Sequence, residues 1–219
     1  MGRLAGVINP LACPFFVFSN YRLVTSPSSA MCDTPVVLSN TTALTVADRL
    51  YAIGGANDEG PVPDVLSIAV DETEWSHHAP APGPLMQASG CVLSGKIYIA
   101  AGPSAQCPGL FVYDPQQDRW DQIIHPASQP PSAPMCTAFA GKVWVMGGRG
   151  QNAGQTATYI YSPTNGDWHQ GPAIPLPISW AAAADANGRL LIAGGAYEDD
   201  RIGNFFNSDR VFLLRNDRQ

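Results

Sequence analysis

Lysine is almost missing from this chain. Only Lys96 and Lys142 occur, basic residues total 12 against 18 acidic ones, and the formal net charge is -6. No run of basic residues exists. Nucleic-acid binding needs clustered Lys and Arg to neutralise phosphates, so no nucleic-acid partner is expected. An anionic membrane surface is disfavoured for the same reason. No apolar stretch reaches about 18 residues, so no spanning helix is expected. Five cysteines (Cys13, Cys32, Cys91, Cys107, Cys136) are odd in number and contain no Cys-x-x-Cys pair. That pattern suits reduced thiols in a cytoplasmic chain better than a disulfide framework. The N-terminal stretch has Arg3 and the small residues Ser28 to Ala30, but Asn9, Pro10 and Pro14 interrupt it, against a signal peptide.

Turn-forming residues are abundant instead. The chain has 21 glycines and 20 prolines in 219 residues, while 45% of residues are hydrophobic. It is too apolar for disorder and too broken for a helical bundle, which leaves many short strands. An internal repeat orders them. Arg49 to Gly55, Lys96 to Gly102, Lys142 to Gly148 and Arg189 to Gly195 align, with final glycines 47, 46 and 47 positions apart. Each begins on a basic residue, follows a turn residue (Asp48, Gly95, Gly141, Gly188) and ends in Gly-Gly or Ala101-Gly102. Another apolar run lies before each turn, which makes a hairpin. Tyr113 stands seven residues before Trp120, and Tyr161 seven before Trp168. These predict third and fourth strands joined by the turns Asp114 to Asp118 and Ser162 to Gly166. In the first unit Ile68 precedes Trp75 by the same seven.

Four short strands cannot bury both faces of their sheet, and radial stacking as propeller blades solves this. The pattern resembles the kelch family over roughly residues 36 to 214, most specifically in units two and three. Departures are Ala101 for the first Gly, Ser162 for the expected Asp, Ile68 for the Tyr of unit one, and a fourth unit ending at Arg210 to Leu214 before any Trp. The expected fold is therefore all-β, a kelch-type β-propeller of about four blades with four antiparallel strands each. The units run over about residues 36–80, 81–127, 128–175 and 176–219, after a leader of residues 1–35. Four units are few for a propeller, so the ring is either small or part of a larger one. Residues Phe15 to Val24 offer one way to close it, by pairing as the missing outer strand; the other reading is that the leader lies outside the propeller.

Catalytic chemistry is hard to assemble. His77, His78, His125 and His169 follow the outer-strand tryptophans, so phasing puts them on the solvated rim of different blades, where metal ligands cannot converge. No metal and no cofactor are expected. Asp71, Glu72 and Glu74 read as a solvated face; Glu198 to Asp200 follow Gly-Gly, but no partner nucleophile is visible. No Gly-x-Ser-x-Gly elbow occurs.

The kelch resemblance implies a binding face at one end of the propeller. Its loops follow the Gly-Gly pairs or lead into the innermost strands. Carried over here, these positions are Asn57, Asp58, Ser104, Arg149, Gln151, Tyr197 and Glu198, with Gln87 and Trp180 leading into strands. Kelch adaptors of ubiquitin ligases often place Arg at such positions to hold acidic peptides; only Arg149 matches, which argues against a strongly acidic ligand. The resemblance thus implies a protein-interaction module, associated with a cullin-type ligase or with actin. The alternative is a propeller enzyme acting on a sugar, mutarotase- or oxidase-like.

Overall fold

The computed structural model describes residues 34–36, 38–102, 108–127, 129–150, 154–199 and 204–214. They fall within one compact unit, Asp33–Gln219. The closing strand proposed for Phe15 to Val24, and Ser104 and Gln151 with it, lie outside them. No described residue is helical.

Unit one supplies β1 (Thr42–Val46), β2 (Arg49–Ile53), β3 (Ala56–Asn57), β4 (Gly60–Pro61), β5 (Val65–Ala69) and β6 (Ser76–His77). Unit two supplies β7 (Ser89–Leu93), β8 (Lys96–Ala101), β9 (Gly109–Asp114) and β10 (Arg119–Ile123). Unit three supplies β11 (Met135–Phe139), β12 (Lys142–Met146), β13 (Thr158–Ser162) and β14 (Asp167–Gln170). Unit four supplies β15 (Ile178–Ser179), β16 (Ala182–Asp185), β17 (Leu190–Ala193), β18 (Ala196–Asp199), β19 (Asn204–Asn207) and β20 (Val211–Leu214). Every pairing is antiparallel. The orders are β1-β2-β5-β6, β7-β8-β9-β10, β11-β12-β13-β14 and β16-β17-β20, with the small sheets β15-β18-β19 and β3-β4. The innermost strands β1, β7, β11 and β16 pack successively side by side. This is the propeller arrangement that the repeat predicts.

Alternation along the strands explains why the sheets stack. In β8, Ile97, Ile99 and Ala101 join Tyr51, Ile53, Val65, Phe111 and Tyr113 in a core between units one and two. Tyr98 and Ala100, on the other face, join Leu110, Val143 and Val145 between units two and three. Met135, Met146, Ile178, Leu190 and Ile192 fill the seam between units three and four. A sheet buried on both faces carries apolar residues at successive positions, which is why these strands read as continuous hydrophobic runs. Each fully buried Ile or Leu contributes about 1.5–3 kcal/mol. Trp120 and Trp168 flank the first and second of these seams, and the Trp120 indole N–H donates to the Ala79 carbonyl of the preceding unit at 3.0 Å.

Unit four departs from the others. Its main sheet has three strands among the described residues, and the chain between Gly195 and Val211 forms an added hairpin, β18-β19. Val211 follows Gly195 by 16 positions, whereas Val65 follows Gly55 by 10. The extra residues leave the sheet and pair with one another and with β15.

The end of the propeller that gathers the loops

Antiparallel pairing brings the start of each innermost strand beside the end of the second strand. Ser39 bridges to Ala56, Ser132 to Arg149, and Ser179 pairs with Ala196. Between Ser132 and Arg149 both amides donate, at 2.8 and 2.7 Å. In units one, three and four the two loop sets therefore lie side by side. The residue after each serine turns the chain sharply: Asn40, Ala133 and Trp180 have φ of 54°, 48° and 55°, and Gln87 in unit two has 54°. Only Asn among these residue types favours the left-handed region. Four equal deviations in four units mark a structural requirement. Its signal in the sequence was the serine standing 16 positions before the second glycine in three units (Ser39, Ser132, Ser179), which the glycine alignment alone passes over.

The singled-out residues have different fates. Arg149 is exposed. Trp180 keeps 42% of its surface while its amide donates to the Ala133 carbonyl at 3.3 Å. Asp58 is exposed on the β3-β4 turn. Asn57 is employed in that turn: its Oδ1 accepts from the amides of Glu59 and Gly60 at 2.9 and 3.1 Å. Gln87 is half-buried. Tyr197, also half-buried, stacks on Phe206 across β18-β19, ring centres 5.8 Å apart. Phe206 is an exposed aromatic that motif reading did not single out. Glu198 sits in β18 opposite Phe205.

Beside Arg149 a cavity of about 260 Å³ opens in unit three, with Ala127 of the chain entering that unit in its lining. Pro131, Val145, Ala157 and Tyr159 give it an apolar lining, and Arg149 and Gln155 supply polar groups. The Tyr159 ring is backed by His125, with ring centres 4.7 Å apart.

Two of the four histidines correct the expectation of a solvated rim. His77 and His169 are exposed there. His125 is buried, 9% exposed, against Tyr159 and Trp168, with Nδ1 accepting from the Ala127 amide at 3.1 Å. His78 is half-buried between Tyr51 and Tyr113. The chain leaving each Trp folds into the seam beneath the next unit's Trp, and carries these rings inward. Burial holds both imidazoles below their ordinary pKa; for His78 the Asp118 carboxylate partly opposes this.

His78 also completes a Ser-His-Asp array. Its Nε2 lies 2.7 Å from Ser67 Oγ, and its Nδ1 lies 3.6 Å from Asp118 Oδ1. Two observations make this a structural relay. Ser67 is fully buried, so no substrate reaches its oxygen. That oxygen also accepts from Arg49 Nε and Nη2 at 3.1 and 3.0 Å. Arg49 in turn pairs with Glu72 at 2.7 Å. Asp118 accepts from the Tyr113 hydroxyl at 2.5 Å and the Ala79 amide at 2.9 Å; these bonds hold its pKa below the carboxylate range. The relay ties unit one to unit two. Among the described residues, no group of three His, Cys, Asp or Glu is placed to hold a metal.

Comparison with known proteins fits this architecture. The family model of the KLHDC2/KLHL20/DRC7 Kelch-repeats domain matches residues 14–211.

The chain belongs to the kelch-repeat family.

Among relatives of this kelch chain, human Kelch-like protein 33 is 28% identical over 133 residues, covering 58% of this chain and 25% of that protein. Kelch-like protein 35 of Mus musculus is 29% identical over 150 residues, 67% of this chain and 25% of that protein. Beta-scruin of Limulus polyphemus is 22% identical over 165 residues, 68% of this chain and 18% of that protein. The chain thus spans about a quarter of the length of the Kelch-like proteins it matches. The solved structure of YjhT superposes with a TM-score of 0.69 at 16% identity, covering 81% of this chain and 68% of that one, a likeness of fold.

Proposed function

We propose that this kelch chain is a protein-interaction module that binds through the loop end described above. The observation that carries the reading is the bridge between Ser132 and Arg149, which merges the two loop sets and leaves Arg149 and Trp180 exposed on one end. Arg, Trp and Tyr dominate binding hot spots, and loops on a rigid scaffold are the usual carriers of recognition. Membership of a family that includes Kelch-like and BTB-containing proteins makes substrate presentation to a cullin-type ligase the first pathway to test.

The test is affinity purification with mass spectrometry on the wild type and on Arg149→Ala and Trp180→Ala. Both variants are expected to lose the same partners at an unchanged melting temperature. Equal recovery by all three proteins refutes the reading.

A further inference from the structure

Resting on that reading, we infer that the cavity of unit three beside Arg149 seats one bulky apolar side chain of a partner segment that is uncharged or basic around its anchor. Three features of the site lead there. The first is size. Small-molecule sites run from about 300 to 1,000 Å³, and this cavity holds about 260 Å³. It is small for a sugar nucleotide or a dinucleotide and suited to a single residue.

The second is lining. Val145, Ala157, Pro131 and the Tyr159 ring offer carbon surface. Tyr159 is held from behind by the buried His125, which itself packs edge-on to Trp168 at 5.1 Å. A wall fixed before binding lowers the entropic cost of filling it. Arg149 and Gln155 stand at the same cavity with N–H donors. A guanidinium has five such donors, so it serves a partner's main-chain carbonyls beside whatever else it holds.

The third is charge. The chain carries -6 overall, and Asp58 and Glu59 stand exposed on the β3-β4 turn of the first unit. A field of that sign repels an acidic segment and favours a neutral or basic one. Arg149 then acts as a donor to main-chain oxygens.

A phage-displayed random heptapeptide library, selected on the purified chain, tests this. Ala157→Phe and Ala127→Phe each place a bulky ring in the cavity lining; Arg149→Ala and Trp180→Ala alter the surrounding face. Thermal melts confirm that each variant folds, and two filling variants guard against one misfolding. Selected peptides are expected to share one Leu, Ile, Met or Phe without Asp or Glu beside it. Each filling variant is expected to weaken them at least about tenfold, as for loss of a buried anchor. Peptides that bind both filling variants as tightly as wild type overturn the cavity assignment. If Trp180→Ala and Arg149→Ala still abolish those same peptides, the loop-end reading survives alone. A selected motif dominated by Asp or Glu overturns the inference as well. Binders indifferent to all four substitutions, or no binder at all, overturn both readings.

Discussion

The Nδ1 of His78 stands 3.6 Å from Oδ1 of Asp118, although His78 belongs to the exit of unit one and Asp118 to a turn of unit two. The pair, with the buried His125 one seam further on, sets a pH response. Burial holds both imidazoles below the usual value of about 6.5. The unfolded chain therefore binds protons first as pH falls, and stability follows the state that binds fewer. Their contribution is full above about 6.5 and is lost below it. At His78, which also faces Tyr51 and Tyr113, Asp118 moderates the effect, while Arg49 and His77 reinforce it. His125 faces Tyr159 and Trp168 and accepts from the Ala127 amide. The melting temperature is expected to fall between pH 7 and 5 in differential scanning calorimetry. His125→Phe should flatten that slope while lowering stability by a constant amount, because the Ala127 amide loses its acceptor. The carboxylates of Asp118, Asp114 and Glu72, held low by hydrogen bonds, add a separate loss below about pH 4.

Lys96 pairs with Asp114 at 3.0 Å across β8 and β9. The same register places Lys142 opposite Ser162. Asp114 also accepts from the amides of Gln116 and Gln117 at 3.0 and 3.3 Å, closing its turn. Ser162→Asp is therefore expected to stabilise unit three modestly, by supplying Lys142 with the carboxylate that Asp114 gives Lys96. Urea titration in low and high salt reads the gain, which should shrink with salt and vanish when Lys142→Met is added.

The hairpin turns Ser94-Gly95, Ala140-Gly141 and Asn187-Gly188 all hold both central residues at positive φ, between 51° and 75°. Such type I′ turns favour Asn-Gly, and unit four alone has it. Ala140 pays the left-handed penalty that Asn187 largely avoids. Ala140→Asn should raise stability by roughly 0.5–1 kcal/mol. Thermal or urea unfolding checks this, and Asn187→Ala should lose a similar amount.

The repeat made the sheets legible, because glycine spacing and strand alternation are local properties of the chain. Strands three and four were placed by Tyr113, Trp120, Tyr161 and Trp168 for the same reason. The inward turn of His78 and His125 was not legible: it depends on which neighbouring unit the proline-rich exits pack against. Nor was the Ser67-His78-Asp118 relay, whose successive members are 11 and 40 residues apart and whose His78–Asp118 contact crosses a seam. At the loop end, spacing located Arg149 and Trp180. The cavity beside Arg149 needed three separate segments in contact. Asn57 has a second role that its type and place did not show: its Oδ1 closes the β3-β4 turn.

Gly147 illustrates how tightly the loop end is built. Its φ is +60°, and a Cβ there would lie 2.5 Å from the Ile178 carbonyl oxygen and 2.8 Å from Ile174 Cδ1. The Ile178 oxygen cannot yield freely, because it accepts from the Gly148 amide at 2.8 Å and so ties unit four to unit three. Gly147→Ala combines left-handed strain of about 1–2 kcal/mol with a backbone clash. The expected loss is roughly 3 kcal/mol or more, a large share of the stability of an ordinary domain. Gly141→Ala is the control, since its φ is +71° but nothing lies within 4 Å of its would-be Cβ. It should lose only the strain component. Equal losses for the two variants in urea unfolding would show that the glycine matters for conformation alone. A larger loss for Gly147→Ala would show that this residue is needed for the close approach of units three and four beside Arg149.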